Sequence, residues 1–167
     1  NEIKKRAITG IVLSSLSFGS LSTYTARAIP VGFAQRCLQR EQLTPETRAT
    51  IMALLRAVQT EDCQEGEQLL LTNVTLGLNG EHIQDLAILE TLPHLTELYL
   101  DSNNIEDLSP LVNLPNLQIL SLGDNQITSL TPLAGLNMLS ELYLDRNRIQ
   151  DLQPIARLSN LIYLELG

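Results

Sequence analysis

The chain contains few side chains of the kinds that carry catalysis or bind metals. Its 167 residues include only two histidines, His82 and His94, and only two cysteines, Cys37 and Cys63. Neither histidine stands at a recognisable motif spacing from a nucleophile, and the common hydrolase, zinc-protease, P-loop and dinucleotide-binding motifs are absent. A C-x25-C pair without nearby histidines does not form a zinc site. We therefore expect a protein that is not an enzyme and that binds no cofactor and no metal ion.

Basic residues are also scarce. The chain has 11 lysines and arginines against 19 aspartates and glutamates, which gives a net charge of −8. A negative charge of this size favours solubility and argues against nucleic acid or an anionic membrane surface as a partner. It is compatible with a cationic ligand but does not demonstrate one.

The most ordered feature of the sequence is a pattern between Leu92 and Leu166 that recurs every 22 residues. We number its copies as coils, with coil two beginning at Leu95, coil three at Leu117, coil four at Leu139 and an incomplete coil five at Leu161. A less regular coil one covers Val74–Leu92. Equivalent positions in successive coils carry Leu98, Leu120, Leu142 and Leu164; Leu100, Leu122, Leu144 and Leu166; Asn103, Asn125 and Asn147; and Pro110, Pro132 and Pro154. A period of this length is typical of leucine-rich repeats.

Each coil predicts one short strand followed by a return path. In Leu98-Tyr99-Leu100 the alternation places both leucines on one side of a strand and the tyrosine on the other. Stacked coils then form a parallel sheet whose leucines fill a shared core, because one coil cannot bury its apolar face alone. We expect the asparagines to be structural, with their amides bonded to turn backbone that no strand satisfies. The prolines predict single turns or 3₁₀ segments on the return side.

The string LxxLxxLxLxxNxIxDLxPLxxLxx, which covers about residues 71–167, resembles the bacterial 22-residue leucine-rich-repeat class typified by the internalins. The resemblance implies an α/β fold class: a leucine-rich-repeat solenoid with a parallel β-sheet on its concave face and short turns or 3₁₀ segments on its convex face. It also implies a small α-helical cap before the repeats. Proteins of this class share a binding surface but differ in what they bind.

The first 28 residues have the layout of a secretory signal peptide. A basic start at Lys4, Lys5 and Arg6 precedes an apolar, serine-rich run and the small-x-small site Ala26-Arg27-Ala28, after which we expect cleavage. A membrane anchor is the alternative, but the segment is short and contains many serines. Cleavage would remove four basic residues and one acidic residue, which shifts the net charge from −8 to −11. The chain would then be secreted, periplasmic or held at the cell surface, with no membrane span left.

Residues 29–70 lack the repeat and predict a helical cap. Thr44-Pro45-Glu46 has the N-cap, first-turn proline and early acid of a helix start, and apolar residues recur at helical spacing after it. A second helix is expected at about residues 61–70. Two cysteines in an exported chain favour one disulfide between Cys37 and Cys63, with two free thiols as the alternative. The predicted disulfide would stabilise the cap that covers the open edge of coil one.

The outward side chains of the strands form the candidate binding surface. Three neighbouring columns on the concave face contain Glu97, Glu141 and Tyr163; Tyr99, Ser121 and Tyr143; and Asp101 and Asp145. Tyrosines among acids suit a protein or peptide partner, since tyrosine offers a large contact area and a polar tip. Coils two and four repeat each other, whereas Ser121 in coil three should form a shallow dip between two tyrosines. We expect the spacing of Asp101 and Asp145 to be too large for them to share one metal ion.

These observations predict an exported binding module that recognises a protein or peptide on its concave face. An alternative is a structural spacer or a fragment of a longer array, because the sequence stops on the strand of coil five and leaves an edge open to self-association. Another is an ordinary solvated sheet face with no partner.

Overall fold

The computed structural model describes residues 32–167. A region of three α-helices is followed by five parallel strands, each joined to the next through a short return segment. The predicted signal peptide and residues 29–31 lie outside the described residues. None of the helices within residues 32–167 is long and apolar enough to cross a bilayer.

The helical region has three helices of unequal length. They are α1 (Phe33–Leu38), α2 (Pro45–Ala57) and α3 (Cys63–Thr72). Helix α2 begins as the sequence predicts, because the Thr44 side chain accepts from the Thr47 amide at 3.2 Å and Pro45 occupies the first turn. Asp62 caps α3 by accepting from two amides, at 2.8 and 2.9 Å. The start and end of α3 lie two residues later than expected, and the sequence did not predict α1.

A disulfide joins α1 to α3. Cys37 and Cys63 are bonded with a Cα–Cα distance of 5.7 Å, and both are buried. The predicted pairing is confirmed. Since the bond ties the first helix of the region to its last, the short α1 is held in place by a covalent link as well as by the buried Phe33 ring.

The strands form one sheet in chain order. They are β1 (Thr75–Gly77), β2 (Glu97–Tyr99), β3 (Ile119–Ser121), β4 (Glu141–Tyr143) and β5 (Tyr163–Glu165). Every neighbouring pair is parallel, and the central residues Leu98, Leu120 and Leu142 lie directly opposite one another in register. All three are fully buried. This arrangement confirms the predicted solenoid, since equivalent leucines of successive coils fill equivalent places in one core.

The return side contains only short 3₁₀ segments, as the prolines predict. They cover Ala87–Thr91, Ser109–Asn113, Thr131–Gly135 and Gln153–Ile155. A proline stands in the first turn of the last three segments, where its missing amide costs no hydrogen bond. The side chain of Asp107 accepts from the backbone amide of Ser109 at 2.8 Å and from its hydroxyl at 2.6 Å. These two hydrogen bonds hold the pKa of Asp107 below its usual value.

Three stacked asparagines bond the turns that follow the strands. The amide of Asn125 donates to the carbonyls of Leu100, Leu122 and Gly123, and its oxygen accepts from the Ile105 amide at 3.0 Å. Asn103 and Asn147 make the equivalent bonds one coil earlier and one coil later. Each asparagine thus bonds its own coil and the coil before it, so the ladder ties neighbouring coils together.

The helical region packs against coil one. The Thr50 hydroxyl in α2 donates to the carbonyl oxygen of Asp85 at 2.7 Å, and the Thr47 hydroxyl donates to the Asp85 carboxylate. Two ion pairs, Arg36–Glu90 and Arg56–Glu81, also join the helices to this coil. At the other end of the sheet, β5 pairs with β4, and Ile162 is 84% exposed.

Candidate partner-binding face

The side of the sheet opposite the leucine core carries every predicted contact residue. Because the strands are parallel and in register, Tyr99 lies beside Ser121 and Ser121 beside Tyr143. Glu97, Ile119, Glu141 and Tyr163 form the adjacent column in the same way. The structure therefore brings the predicted residues together on one face, which we call the concave face. Whether they contact a partner stays a prediction.

Tyr99, Tyr143 and Tyr163 each donate to a glutamate of their own strand, and the longest of these bonds joins Tyr163 to Glu165 at 3.4 Å. The Tyr99 hydroxyl donates to Glu97 at 3.2 Å, and the Tyr143 hydroxyl donates to Glu141 at 2.8 Å. The pKa of Tyr99 is raised, chiefly by burial and then by the charge of Glu97 and the hydrogen bond to it. The hydrogen bond to Glu141 is the largest of the causes that raise the pKa of Tyr143 to about 12. These bonds restrict the orientation of both rings, so each ring edge and face is presented in a defined position.

Two aromatic rings are in contact toward the β5 end of the face. The ring centroids of Tyr143 and Tyr163 are 5.0 Å apart, and the ring planes are tilted by 39°. Tyr163 is 47% exposed, and Tyr143 is half-buried. The sequence assigned these tyrosines to different columns and so did not predict their contact, which joins diagonal neighbours on adjacent strands.

The predicted dip in coil three is lined by small residues, and Ser121 is less accessible than a contact residue should be. Its exposed fraction is 7%, and its hydroxyl donates to Asp101 Oδ1 at 2.6 Å. The Gly123 amide donates to the same oxygen at 2.7 Å. Ser121 therefore fixes the carboxylate of Asp101 at the floor of the dip.

Two carboxylates border the space above Gly123. A Cβ at Gly123 would collide with Asp145 Oδ1 and would lie 3.2 Å from Asp101 Oδ1. The two aspartates belong to coils two and four, yet their side chains approach each other across the small residue of coil three. That the two aspartates are too far apart to share one metal ion stays a prediction. Within residues 32–167 no group of three or more histidines, cysteines, aspartates or glutamates is placed to hold a metal ion.

The face is acidic, with one basic side chain at its margin. Glu97, Asp101, Glu141 and Asp145 all project from it, and Arg146 pairs with Asp145 at 3.2 Å. The Arg146 side chain is 73% exposed, and its backbone has a φ of 52°. Sequence reasoning did not assign it a role. The sequence did contain a signal for Arg146, because it is the charged counterpart of the neutral Ser102 in coil two. The two residues have similar φ values, 52° and 56°.

The histidines take no part in this face. His82 lies in the turn after β1 with a φ of 58°. His94 is more than the plain surface residue that the sequence suggested, because its Nε2 lies 3.0 Å from the Leu70 carbonyl oxygen and 3.1 Å from that of Asn73. It thereby connects the end of α3 to the loop that enters β2.

Comparisons with known proteins agree with this geometry. A family model described as leucine-rich repeats in two copies matches residues 93–135. None of the curated proteins matches the chain. The fold and the family match together define a leucine-rich-repeat protein.

Solved structures specify the class further. Internalin C2 from Listeria monocytogenes is 42% identical, with a TM-score of 0.56 over 61% of this chain and 47% of that one. An internalin from the same organism, InlF, is 32% identical, with a TM-score of 0.67 over 76% of this chain and 38% of that one. A functional domain of InlJ that includes a cysteine ladder is 30% identical, with a TM-score of 0.51 over 62% of this chain and 22% of that one. The chain has a leucine-rich-repeat fold similar to that of these bacterial internalins, and it spans less than half the length of each of them.

Proposed function

We propose that this chain is a non-enzymatic binding module that acts outside the cytoplasm and holds a protein or peptide on its concave face. Solenoids of stacked repeats use extended concave surfaces to bind partners. The observation that carries the proposal is the row of partly exposed tyrosines at Tyr99, Tyr143 and Tyr163, set among carboxylates on that face. Rigid aromatic side chains with polar tips are enriched where proteins bind one another.

The opposite side of the sheet supports the same assignment. Its leucines are fully buried in the core and are not available to a partner. The convex side carries exposed apolar residues such as Val112 and Met138, but these stand in different coils at non-equivalent positions. Within residues 32–167, the aromatic rings that are hydrogen-bonded to carboxylates lie on the concave face.

Export is the part of the proposal that rests on the sequence before Gly32 and on the disulfide. The basic start, the apolar serine-rich run and the Ala26-Arg27-Ala28 site fit a cleaved signal peptide. A disulfide between Cys37 and Cys63 fits an oxidising compartment. Cell fractionation with N-terminal sequencing of the recovered protein tests this, and a cytoplasmic protein with an intact N-terminus would contradict it.

The binding proposal is tested by capture of partners from extracellular and surface proteins. The double substitution Tyr99→Ala and Tyr143→Ala should abolish specific capture and leave the circular dichroism spectrum unchanged. The matched control is Val112→Ala with Met138→Ala, which removes exposed apolar side chains from the convex side and should keep capture. Capture that survives the tyrosine substitutions would place the binding surface elsewhere.

An alternative function is self-association through the β5 end of the sheet. The observation that favours it is the exposure of Ile162, Leu164 and Leu166 at β5, which pairs with β4 alone among the strands of residues 32–167. Sedimentation velocity of the purified chain at increasing concentration distinguishes the two functions. Reversible oligomers that disappear with Ile162→Glu would favour assembly, and a monomer at all concentrations would exclude it.

A further inference from the structure

The concave face presents the same three side chains twice. Coil two carries Glu97, Tyr99 and Asp101, and coil four carries Glu141, Tyr143 and Asp145 in the same order and register. We call these sets triad A and triad B. Between them, coil three carries smaller outward residues, with Ser121 and Gly123 both buried at the floor of the dip. The face therefore presents two contact points of the same composition, separated by the smaller residues of coil three.

The separation of the two triads selects among peptide conformations. Two strand spacings amount to about 9.6 Å. A polyproline II peptide rises about 3.1 Å per residue with three residues per turn, so its residues i and i+3 project from one side about 9.3 Å apart. In a β-strand, residues on one side are about 6.7 Å or about 13.4 Å apart, and neither distance matches. A polyproline II segment that crosses the strands would thus place every third side chain over a triad.

The chemistry of the triads selects a cationic side chain. Each triad has two carboxylates beside a tyrosine ring whose hydroxyl is already bonded to the glutamate. A lysine or arginine over such a ring gains attraction from the ring face and from the carboxylates together. The carboxylate oxygens of Asp101 and Asp145 themselves fill the space directly over Gly123, so the peptide backbone between the two cations would pass above these carboxylates.

We propose that this face binds an extended, basic peptide segment in the polyproline II conformation, with a lysine or arginine at positions i and i+3 held by triad A and triad B. The inference rests on the proposed binding function and adds the conformation and charge of the partner. An α-helical partner is the principal rival, since its residues i and i+7 are about 10.5 Å apart.

Arg146 makes the two triads unequal. It pairs with Asp145 in triad B, whereas the equivalent position beside triad A is Ser102. A bound cation at triad B must therefore share Asp145 with the charged Arg146, whereas at triad A it shares Asp101 only with the neutral donors of Ser121 and Gly123, so triad A should be the stronger of the two contact points. Removing the Arg146 charge should strengthen binding, an effect that a merely structural role of Arg146 would not produce. Asparagine is the suitable replacement, because it tolerates the positive φ at this position.

The test uses the purified chain and synthetic fluorescent peptides of equal length and net charge. Proline fills the positions between two arginines placed at i and i+3, and the comparison peptides place the arginines at i and i+2 or at i and i+4. Fluorescence anisotropy should show the i, i+3 peptide binding roughly tenfold more tightly than either comparison peptide. Asp101→Asn and Asp145→Asn should each weaken this binding, and Arg146→Asn should strengthen it. Glycine in place of the intervening prolines should also weaken it, because the peptide loses its preorganised conformation.

Three results would overturn the inference. Equal affinity for all spacings would show non-specific charge attraction only. Tightest binding by a helix-stabilised peptide with arginines at i and i+7 would assign the face to a helical partner. The absence of binding by any basic peptide would remove the cationic partner altogether. If capture of a protein partner then still depended on Tyr99 and Tyr143, the proposed function would stand and only the partner chemistry would be wrong.

Discussion

The inward side chains of the short strands are uniform and buried, whereas the outward side chains vary in size and exposure. On the inward side, Leu98, Leu120 and Leu142 occupy equivalent places in a closed core, and each is fully buried. On the outward side, the residues that follow these leucines are Tyr99, Ser121 and Tyr143, which differ in size and exposure. The difference teaches that packing fixes one side of the sheet and leaves the other free to specify a partner. Substitutions on the two sides should therefore separate stability from binding.

The largest expected effect comes from a polar residue on the inward side. Leu120→Asn places an amide without a designed partner among buried leucines, and it should lower the free energy of unfolding by about 3–5 kcal/mol. The matched substitution Ile119→Asn changes the adjacent outward side chain and should cost less than about 1 kcal/mol. Urea denaturation followed by circular dichroism measures both. Similar losses for the two variants would contradict the assignment of sides.

The asparagine ladder should show the next largest effect. Asn125→Ala leaves three carbonyls and one amide without their side-chain partner, and it should cost about 1–3 kcal/mol. Asn147→Ala removes the same set of bonds from a less buried position, where water can replace part of them, so its cost should be smaller. Equal costs would show that burial does not set the strength of the ladder. The same denaturation measurement applies.

The outward tyrosines should make the free energy of unfolding depend on pH in the alkaline range. The pKa of Tyr143 is raised from 10.0 to about 12, so its hydrogen bond to Glu141 stabilises the fold fully below pH 10. That contribution is lost as the pH rises from 10 toward 12, because the unfolded chain ionises first. Ultraviolet titration of tyrosinate should show a late step that is absent in Tyr143→Phe. A titration in which Tyr143→Phe removes a step near pH 10 would contradict the hydrogen bond.

Substitution of Gly123 in coil three should have the smallest effect on stability. It should have a large effect on binding. Gly123→Ala should displace the Asp145 carboxylate at a cost below about 1 kcal/mol, because the atom in the way is the flexible end of a side chain. Gly77→Ala is the matched control, since a Cβ there meets nothing within 4 Å. Calorimetric titration with the captured partner should show weaker binding for the first variant only. Unchanged affinity in Gly123→Ala would argue that the dip is not part of the contact surface.

Most of the fold could be predicted because equivalent leucines and asparagines recur at equal spacing, and only a stacked coil gives them equivalent surroundings. Helix α2 could be predicted for a local reason, because Thr44 and Pro45 at its start are typical of the first positions of a helix. Helix α1 could not, since it has six residues and no side-chain cap at Gly32. It is held by the disulfide and by burial of Phe33, which are long-range effects.

The composition of the concave face was predictable, but its internal contacts were not. Alternation identifies Asp101, Ser121 and Tyr143 as outward residues. The side-chain conformations that join Ser121 to Asp101, and Tyr143 to Tyr163, depend on neighbours one coil away. The contact of His94 with the end of α3 was missed for the same reason, because its partners are backbone carbonyls more than 20 residues earlier in the chain.

One substitution at the centre of the concave face tests the account most directly. Ile119→Arg places a large cation between Glu97 and Glu141, where it should occupy the surface and exclude a partner. Affinity for the captured partner, measured by calorimetry, should fall by more than about 100-fold with an unchanged unfolding midpoint, whereas Val112→Arg on the convex side should change neither quantity. Retained affinity in Ile119→Arg would contradict the assignment of this face as the recognition surface.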